Sequence, residues 1–201
     1  MRILHISDSH NLHRQLANLP PADIIIHSGD VSMAGTGNEV VDFINWFGGL
    51  EYKYKIFIAG NHDYCLDGKR QEMIRNFLPP NCYYLCNSGI TIEGINFWGT
   101  PFFFRHDESG RYQEMITQIP NETDILITHR PPLGILDTVN NIRFGCPDLL
   151  QVVQRICPRY HLFGHIHDVY GIMESEKTTF INAALMDEKY RLVNNPIVFD
   201  I

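Results

Sequence analysis

The feature that most constrains this chain is a repeated succession: a short, β-branched apolar run, then a loop carrying histidine, aspartate or asparagine. Ile3 to Ile6 leads into Asp8-Ser9-His10, Asp23 to His27 into Gly29-Asp30, and Lys55 to Ala59 into Gly60-Asn61-His62-Asp63. Later, Asp124 to Thr128 leads into His129, and His161 to Phe163 into Gly164-His165-Ile166-His167. Apolar runs of this length predict buried strands. Buried strands need helices to cover them, which makes the chain α/β, with function on the loops at the strand ends.

Helical stripes lie between these runs. Val40, Phe43, Ile44 and Phe47 fall at i, i+3, i+4 and i+7 behind Thr36 or Asn38 as a cap. Leu149, Val152, Val153 and Ile156 repeat the stripe after Pro147, a residue suited to a first helical turn. Met73, Ile74, Phe77 and Leu78 predict a further helix, capped by Asp67 and stopped by Pro79-Pro80. Ile90 to Trp98 reads as a hairpin turning at Glu93-Gly94, Cys82 and Cys86 fall in another strand, and Thr178 to Asn182 and Ile197 to Ile201 complete the set. No repeat, low-complexity tract or long linker interrupts residues 1–201, so one domain is expected.

The formal charge of -7 and the lack of any Lys/Arg cluster argue against nucleic acid or an anionic membrane surface as partner. No apolar run approaches the roughly 20 residues of a bilayer span, and the first apolar stretch leaves no room for a cleavable signal before Asp8; a cytoplasmic location is expected. The five cysteines show no C-x-x-C spacing and read as reduced thiols.

The loop residues suit metal chemistry. Carboxylate, imidazole and amide oxygen together fit manganese, iron or zinc, whereas an all-oxygen set would indicate magnesium or calcium. Asp8 and His10, two apart, can reach one ion from a single loop. With only two aspartates as anionic ligands, a pair of such ions keeps excess positive charge, suited to hydroxide and a phosphate oxygen.

The pattern D-x-H, G-D, G-N-H-[DE], H, G-H-x-H, running from Asp8 to His167, resembles the calcineurin-like metallophosphoesterase superfamily. The resemblance covers most of the chain. It implies two mixed β-sheets packed face to face and flanked by helices, a four-layer sandwich with its site at the carboxyl ends of the strands. Carried over position by position, it implies Asp8, His10 and His167 on one metal, Asn61, His129 and His165 on the other, Asp30 bridging them, and His62 as proton donor. A narrower similarity is to the brain-protein-239-like branch, whose members are similar to small phosphodiesterases. It lies in Thr128-His129-Arg130-Pro131-Pro132-Leu133-Gly134, in Phe163 to Tyr170 and in Asn195-Pro196-Ile197-Val198-Phe199-Asp200. Arg130 departs from the small residue expected in that branch.

The implied function is hydrolysis of a small phosphodiester, such as a cyclic nucleotide. Two ions about 3.5–4 Å apart lower the pKa of a bridging water and hold the phosphate for in-line attack. His62, beside Asn61, is chemically suited to protonate the departing oxygen. Asp63 is placed to orient His62 or to cap the following turn. Arg130, through its forked donors, and His13 are the candidate substrate contacts. The plain alternatives are a pairing of Arg130 with a carboxylate such as Asp137, and ordinary surface or edge positions for His13, His106 and His161. His5 and His27 are expected to pack behind the aspartates. Phe102-Phe103-Phe104 reads as core packing, or as a wall for an apolar leaving group. A phosphomonoesterase on the same ligands is the first alternative function. A noncatalytic interaction module is the second, and the intact ligand set opposes it.

Overall fold

A computed structural model of the chain describes residues 1–69 and 71–201. Its strands are β1 (Arg2–Ile6), β2 (Ile24–His27), β3 (Tyr54–Phe57), β4 (Cys82–Tyr84), β5 (Ser88–Ile92), β6 (Ile95–Thr100), β7 (Ile125–Thr128), β8 (Thr138–Val139), β9 (Ile142–Arg143), β10 (Tyr160–Phe163), β11 (Gly171–Glu174), β12 (Thr179–Asn182) and β13 (Ile197–Asp200). The α-helices are α1 (Gly37–Gly48), α2 (Gln71–Ile74), α3 (Phe104–Glu108), α4 (Arg111–Thr117) and α5 (Pro147–Ile156).

Two mixed sheets result. The first runs β13-β1-β2-β3-β4, with β1 to β4 parallel and β13 antiparallel on the edge. The second runs β11-β12-β10-β7-β6-β5, parallel in its middle and antiparallel at both edges. Successive side chains on a strand point to opposite faces, so an uninterrupted apolar run must be covered twice. Ile3, Ile24, Ile26 and Ile56 pack against Ile125, Ile127, Leu162 and Ile181 between the sheets. On the outer side of the first sheet, Leu4, Ile25 and Phe57 meet Val40, Phe43, Ile44 and Phe47 of α1. On the outer side of the second, Leu126, Phe163 and Phe180 meet Tyr112 and Ile116 of α4 and Leu149 and Val153 of α5. The layers are therefore helix, sheet, sheet, helix, as the superfamily resemblance implies.

The local signals hold in detail. Of the two cap candidates the structure uses Thr36, whose side chain accepts from the Glu39 amide while Glu39 reaches back to the Thr36 amide. Glu93 (φ 49°) and Gly94 (φ 83°) make the positive-φ turn between β5 and β6. Several expectations fail. The helix over Met73 to Leu78 contracts to α2 plus a 3-10 turn at Arg75–Phe77, and Met73 and Phe77 are exposed. Asp67 does not cap it; its carboxylate lies 2.8 Å from Nε2 of His106. Cys86 lies beyond the end of β4. His13, His106 and His161 are buried, not surface residues. No helix among the described residues is long and apolar enough to cross a membrane.

The parallel strands of each sheet place their carboxyl ends together, and a seam joins the two sheets there. The Ser7 amide donates to the Ala183 carbonyl (3.0 Å), and the Leu185 amide donates to the Ser7 carbonyl (3.0 Å).

Candidate metal centre

Loops from both sheets meet at this seam. Asp8 and His10 follow β1, Asp30 follows β2, Asn61 and His62 follow β3, His129 follows β7, and His165 and His167 follow β10. The backbone is strained where the ligands stand: Asp8 (φ 54°), His10 (39°), Asp30 (56°) and His165 (68°) all occupy the left-handed region. Such positions cost of order 1–3 kcal/mol each and persist only where surrounding structure imposes them.

Hydrogen bonds fix how the rings face. Nδ1 of His10 lies 3.2 Å from the Ser32 carbonyl, Nδ1 of His129 lies 2.9 Å from that of Ser28, and Nδ1 of His167 lies 3.0 Å from that of Asp187. A carbonyl only accepts, so each Nδ1 carries the proton and each Nε2 turns its lone pair inward. The inward atoms then crowd one another. Nε2 of His10 is 3.4 Å from Nε2 of His167, and Nε2 of His129 is 3.1 Å from Oδ1 of Asn61 and 3.3 Å from Oδ2 of Asp30. Nε2 of His167 is 3.4 Å from Oδ1 of Asp8. Two donors bound about 2.1 Å from a shared ion at near-tetrahedral angles would stand about 3.4 Å apart. A ring of acceptors at these separations fits divalent cations. Asp8, His10 and His167 form one group able to hold an ion, Asp8, Asp30 and His129 a second, and His10, Asp30 and His62 a third.

The electrostatics agree. Burial pushes the Asp30 carboxyl up, but the neighbouring His129 and His10 overcome it and hold it at about 2. Burial likewise opposes ionisation of Asp8, and His167, His129 and His10 bring it well below the usual carboxylate range. Burial lowers His129, but Asp30 and Asp8 raise it to about 9, so in the metal-free protein a proton takes the place a cation would fill. His165 is pushed down to about 3 by burial and by the charge of His129. Its ring lies 5.0 Å from that of His129, its amide donates to Asp8, and its nitrogens fall outside the three groups.

Glycines admit the aspartates. A Cβ on Gly164 would stand 2.0 Å from Oδ2 of Asp8, and one on Gly60 would stand 2.2 Å from Oδ1 of Asp30. This explains why glycine precedes both Asn61 and His165. Behind the loops, Nε2 of His5 meets the Ser28 hydroxyl, Nε2 of His27 meets that of Ser9, and Nε2 of His161 meets that of Thr128, each at 2.9 Å. His5 and His27 thus pack behind the aspartate loops, as expected.

Three sequence expectations change. Asp63 does not orient His62. Its buried carboxylate accepts from the amides of Gly60 (2.8 Å) and Ser32 (2.9 Å) and from the Ser32 hydroxyl (2.6 Å), clamping the Asn61 loop to the Asp30 loop. His62 is instead oriented by the Met33 carbonyl, 2.8 Å from its Nδ1. Arg130 neither faces the cleft nor pairs with Asp137; it donates to Asp107 (2.9 Å) and to the Phe144 carbonyl (3.1 Å) and lies over the Phe102 ring. His13 is no substrate contact, because its buried ring packs on Phe43 and Trp46 with Nε2 3.1 Å from Asp42. The Phe102-Phe103-Phe104 run divides: the first two are core, and Phe104 is exposed at the cleft.

The cleft has a volume of about 320 Å³, and it includes residues outside the expected ligand and proton-donor set: Phe104, Val139, Asp168, Glu188 and Tyr190. Tyr190 also sits in the left-handed region (φ 55°), with its ring 4.9 Å from that of His10 and 5.3 Å from that of His167. The rule that found the other loops, an apolar strand followed by polar residues, extends to the loop after β12 and would have marked Asp187 to Tyr190.

Comparison with known proteins gives the family. The profile of the calcineurin-like phosphoesterase family matches residues 1–169. Metallophosphoesterase domain-containing protein 1 of Homo sapiens is 37% identical over all of this chain and 71% of its own length. UPF0046 protein C25E10.12 of Caenorhabditis elegans is 38% identical over all of this chain and 81% of its own. The crystal structure of TT1561 of Thermus thermophilus shares the fold, with a TM-score of 0.62 at 12% identity over 90% of this chain and 88% of that one. With the motif loops gathered into one cation-shaped centre and a family match across most of the chain, the protein belongs to the calcineurin-like phosphoesterase family and is a metal-dependent phosphoesterase.

Proposed function

We propose that this phosphoesterase binds two metal ions and hydrolyses a phosphodiester. Asp8, His10 and His167 would hold one ion and Asn61, His129 and His165 the other, with Asp30 available to both; the mixed nitrogen and oxygen donors suit manganese, iron or zinc. When bound, the ions polarise the phosphoryl oxygens and supply a nucleophile from water at neutral pH.

The chain's own groups do the rest. The Ser28, Ser32 and Asp187 carbonyls keep the ligating rings in one tautomer and orientation. His62 stands at the mouth with its ring 4.7 Å from His10. Because the Met33 carbonyl holds its Nδ1 proton, a proton on Nε2 is the one it can give to the departing oxygen. Asp63 fixes the loop that carries it.

The observation that carries the diester reading is the cleft wall: among the described residues no lysine or arginine lines it, and Asp168 and Glu188 do. A singly charged diester suits such a wall better than a dianionic monoester. Turnover of bis(p-nitrophenyl) phosphate and of p-nitrophenyl phosphate by the metal-loaded protein tests this. The diester is expected to be the faster substrate; the reverse preference overturns the diester reading.

A further inference from the structure

We propose that the cleft selects phosphoesters whose organic substituent carries a positive charge, esters of amino or ammonium alcohols, and rejects those with a second anionic group. This deepens the reading of the preceding subsection and rests on it. Once the phosphate engages the centre, its substituent must lie along Phe104, Val139, Asp168, Glu188 and Tyr190. Two of these are carboxylates, and neither forms an ion pair with another described residue. Two cations in the neighbourhood are committed elsewhere, and Lys189, between Glu188 and Tyr190, is not among the residues that line the cleft. Arg191, whose charge Glu188 feels, grips the Asp187 carboxylate through Nε (2.8 Å) and Nη2. Arg130 is held on Asp107. A substituent bearing a carboxylate or second phosphate would meet two negative charges with no lysine or arginine among the described residues of the wall, whereas a cation would be drawn in.

The placement of Tyr190 supplies a second, independent argument. Its positive φ is imposed by a tight turn in which its own amide donates to the Asp187 carbonyl (2.9 Å) and the Asp187 amide donates to that of Arg191 (3.0 Å). The same Asp187 carbonyl accepts from Nδ1 of His167 (3.0 Å), so the turn is locked to the metal centre. The residue is 40% exposed, and no described residue pairs with its hydroxyl. An exposed aromatic that shares the cleft wall with Asp168 and Glu188 offers a π surface to a cationic substituent.

The test is a series of p-nitrophenyl phosphodiesters that differ only in the second substituent: choline, ethyl and carboxymethyl. The leaving group is constant, so kcat/KM reports the cleft. The choline ester is expected to exceed the carboxymethyl ester by roughly tenfold, the size of two partly exposed charge contacts and one ring face. In an Asp168→Asn, Glu188→Gln double variant the ratio should fall toward one, with the ethyl ester as internal reference. A wild-type ratio of one or less, or a ratio unchanged in the double variant, overturns the proposal. Failure of the metal-loaded wild type on all three esters would instead sink the diester reading. Calorimetric binding of phosphocholine against phosphoglycolate, which needs no turnover, then decides the charge preference, and tighter binding of phosphoglycolate overturns it.

Discussion

Gly60 and Gly164 stand where a methyl group would strike the aspartates they precede in space, so the centre depends on missing atoms as well as present ones. Gly164→Ala is expected to displace Asp8, lowering metal content and destabilising the fold by about 1–3 kcal/mol, as overpacking does. Gly37→Ala, where nothing lies within 4 Å of the added carbon, is the matched control and should be neutral or slightly stabilising. Metal analysis and chemical denaturation of the two variants check this. His129 carries a second residue-scale prediction. In the metal-free protein Asp30, acting against burial, holds its imidazole at about 9, and a ligand must surrender that proton. Metal uptake near neutral pH should therefore release protons, and apparent affinity should climb as pH rises toward 9. Calorimetric titrations in buffers of different ionisation enthalpy measure the release; none at pH 7 would show that His129 is already neutral in the metal-free protein.

Among the elements, those read from periodicity fared unevenly, and the reason is burial. The strands under the ligand loops and the stripes of α1 and α5 were legible because both faces or one full stripe are buried. The stripe over Met73 to Leu78 has the same spacing, yet only Ile74 is fully buried while Met73 and Phe77 face solvent, so nothing holds a longer helix. Phe77→Ser should change stability by no more than about 0.5 kcal/mol, whereas Phe43→Ala, on the buried face of α1, should cost about 3–5 kcal/mol. Thr36→Ala, which removes the reciprocal cap on α1, should cost about 1 kcal/mol. Denaturant midpoints of the three variants rank them. The short α3 and α4 helices and the β8–β9 hairpin were not read from sequence, since elements of two to seven residues carry too little periodicity to stand out.

At the scale of the molecule, the centre is a joint between two sheets. One sheet contributes Asp8, His10, Asp30 and Asn61, and the other contributes His129, His165 and His167. Metal should thus stabilise the whole assembly, by about 2.7 kcal/mol at a concentration 100-fold above Kd, and Asp30→Asn should abolish most of that gain in thermal unfolding. Acid should act oppositely. His5, His27 and His161 are completely buried, and burial lowers each from the usual 6.5 to about 3. The unfolded chain takes up these protons near pH 6.5 and the folded chain only near 3, so stability is full above that window and falls as pH drops through it. By pH 5 each imidazole withdraws about 2 kcal/mol. Denaturant midpoints between pH 7 and pH 4 should show the slope, and His161→Gln should flatten it.

The sequence by itself determined that the metal-type residues stand at strand ends, because residue type and apolar runs are local properties written in order along the chain. Only the tertiary structure decided what each polar neighbour does. Asp63, Arg130 and His13 look alike as candidates in a linear reading, and their roles turn on which loop folds against which: Asp63 clamps two loops, Arg130 turns to Asp107, and His13 disappears beneath α1. Tyr190 shows the converse. The strand-then-loop pattern marks its stretch of chain, but it reaches the centre only because the β12 loop returns across the seam, a long-range closure.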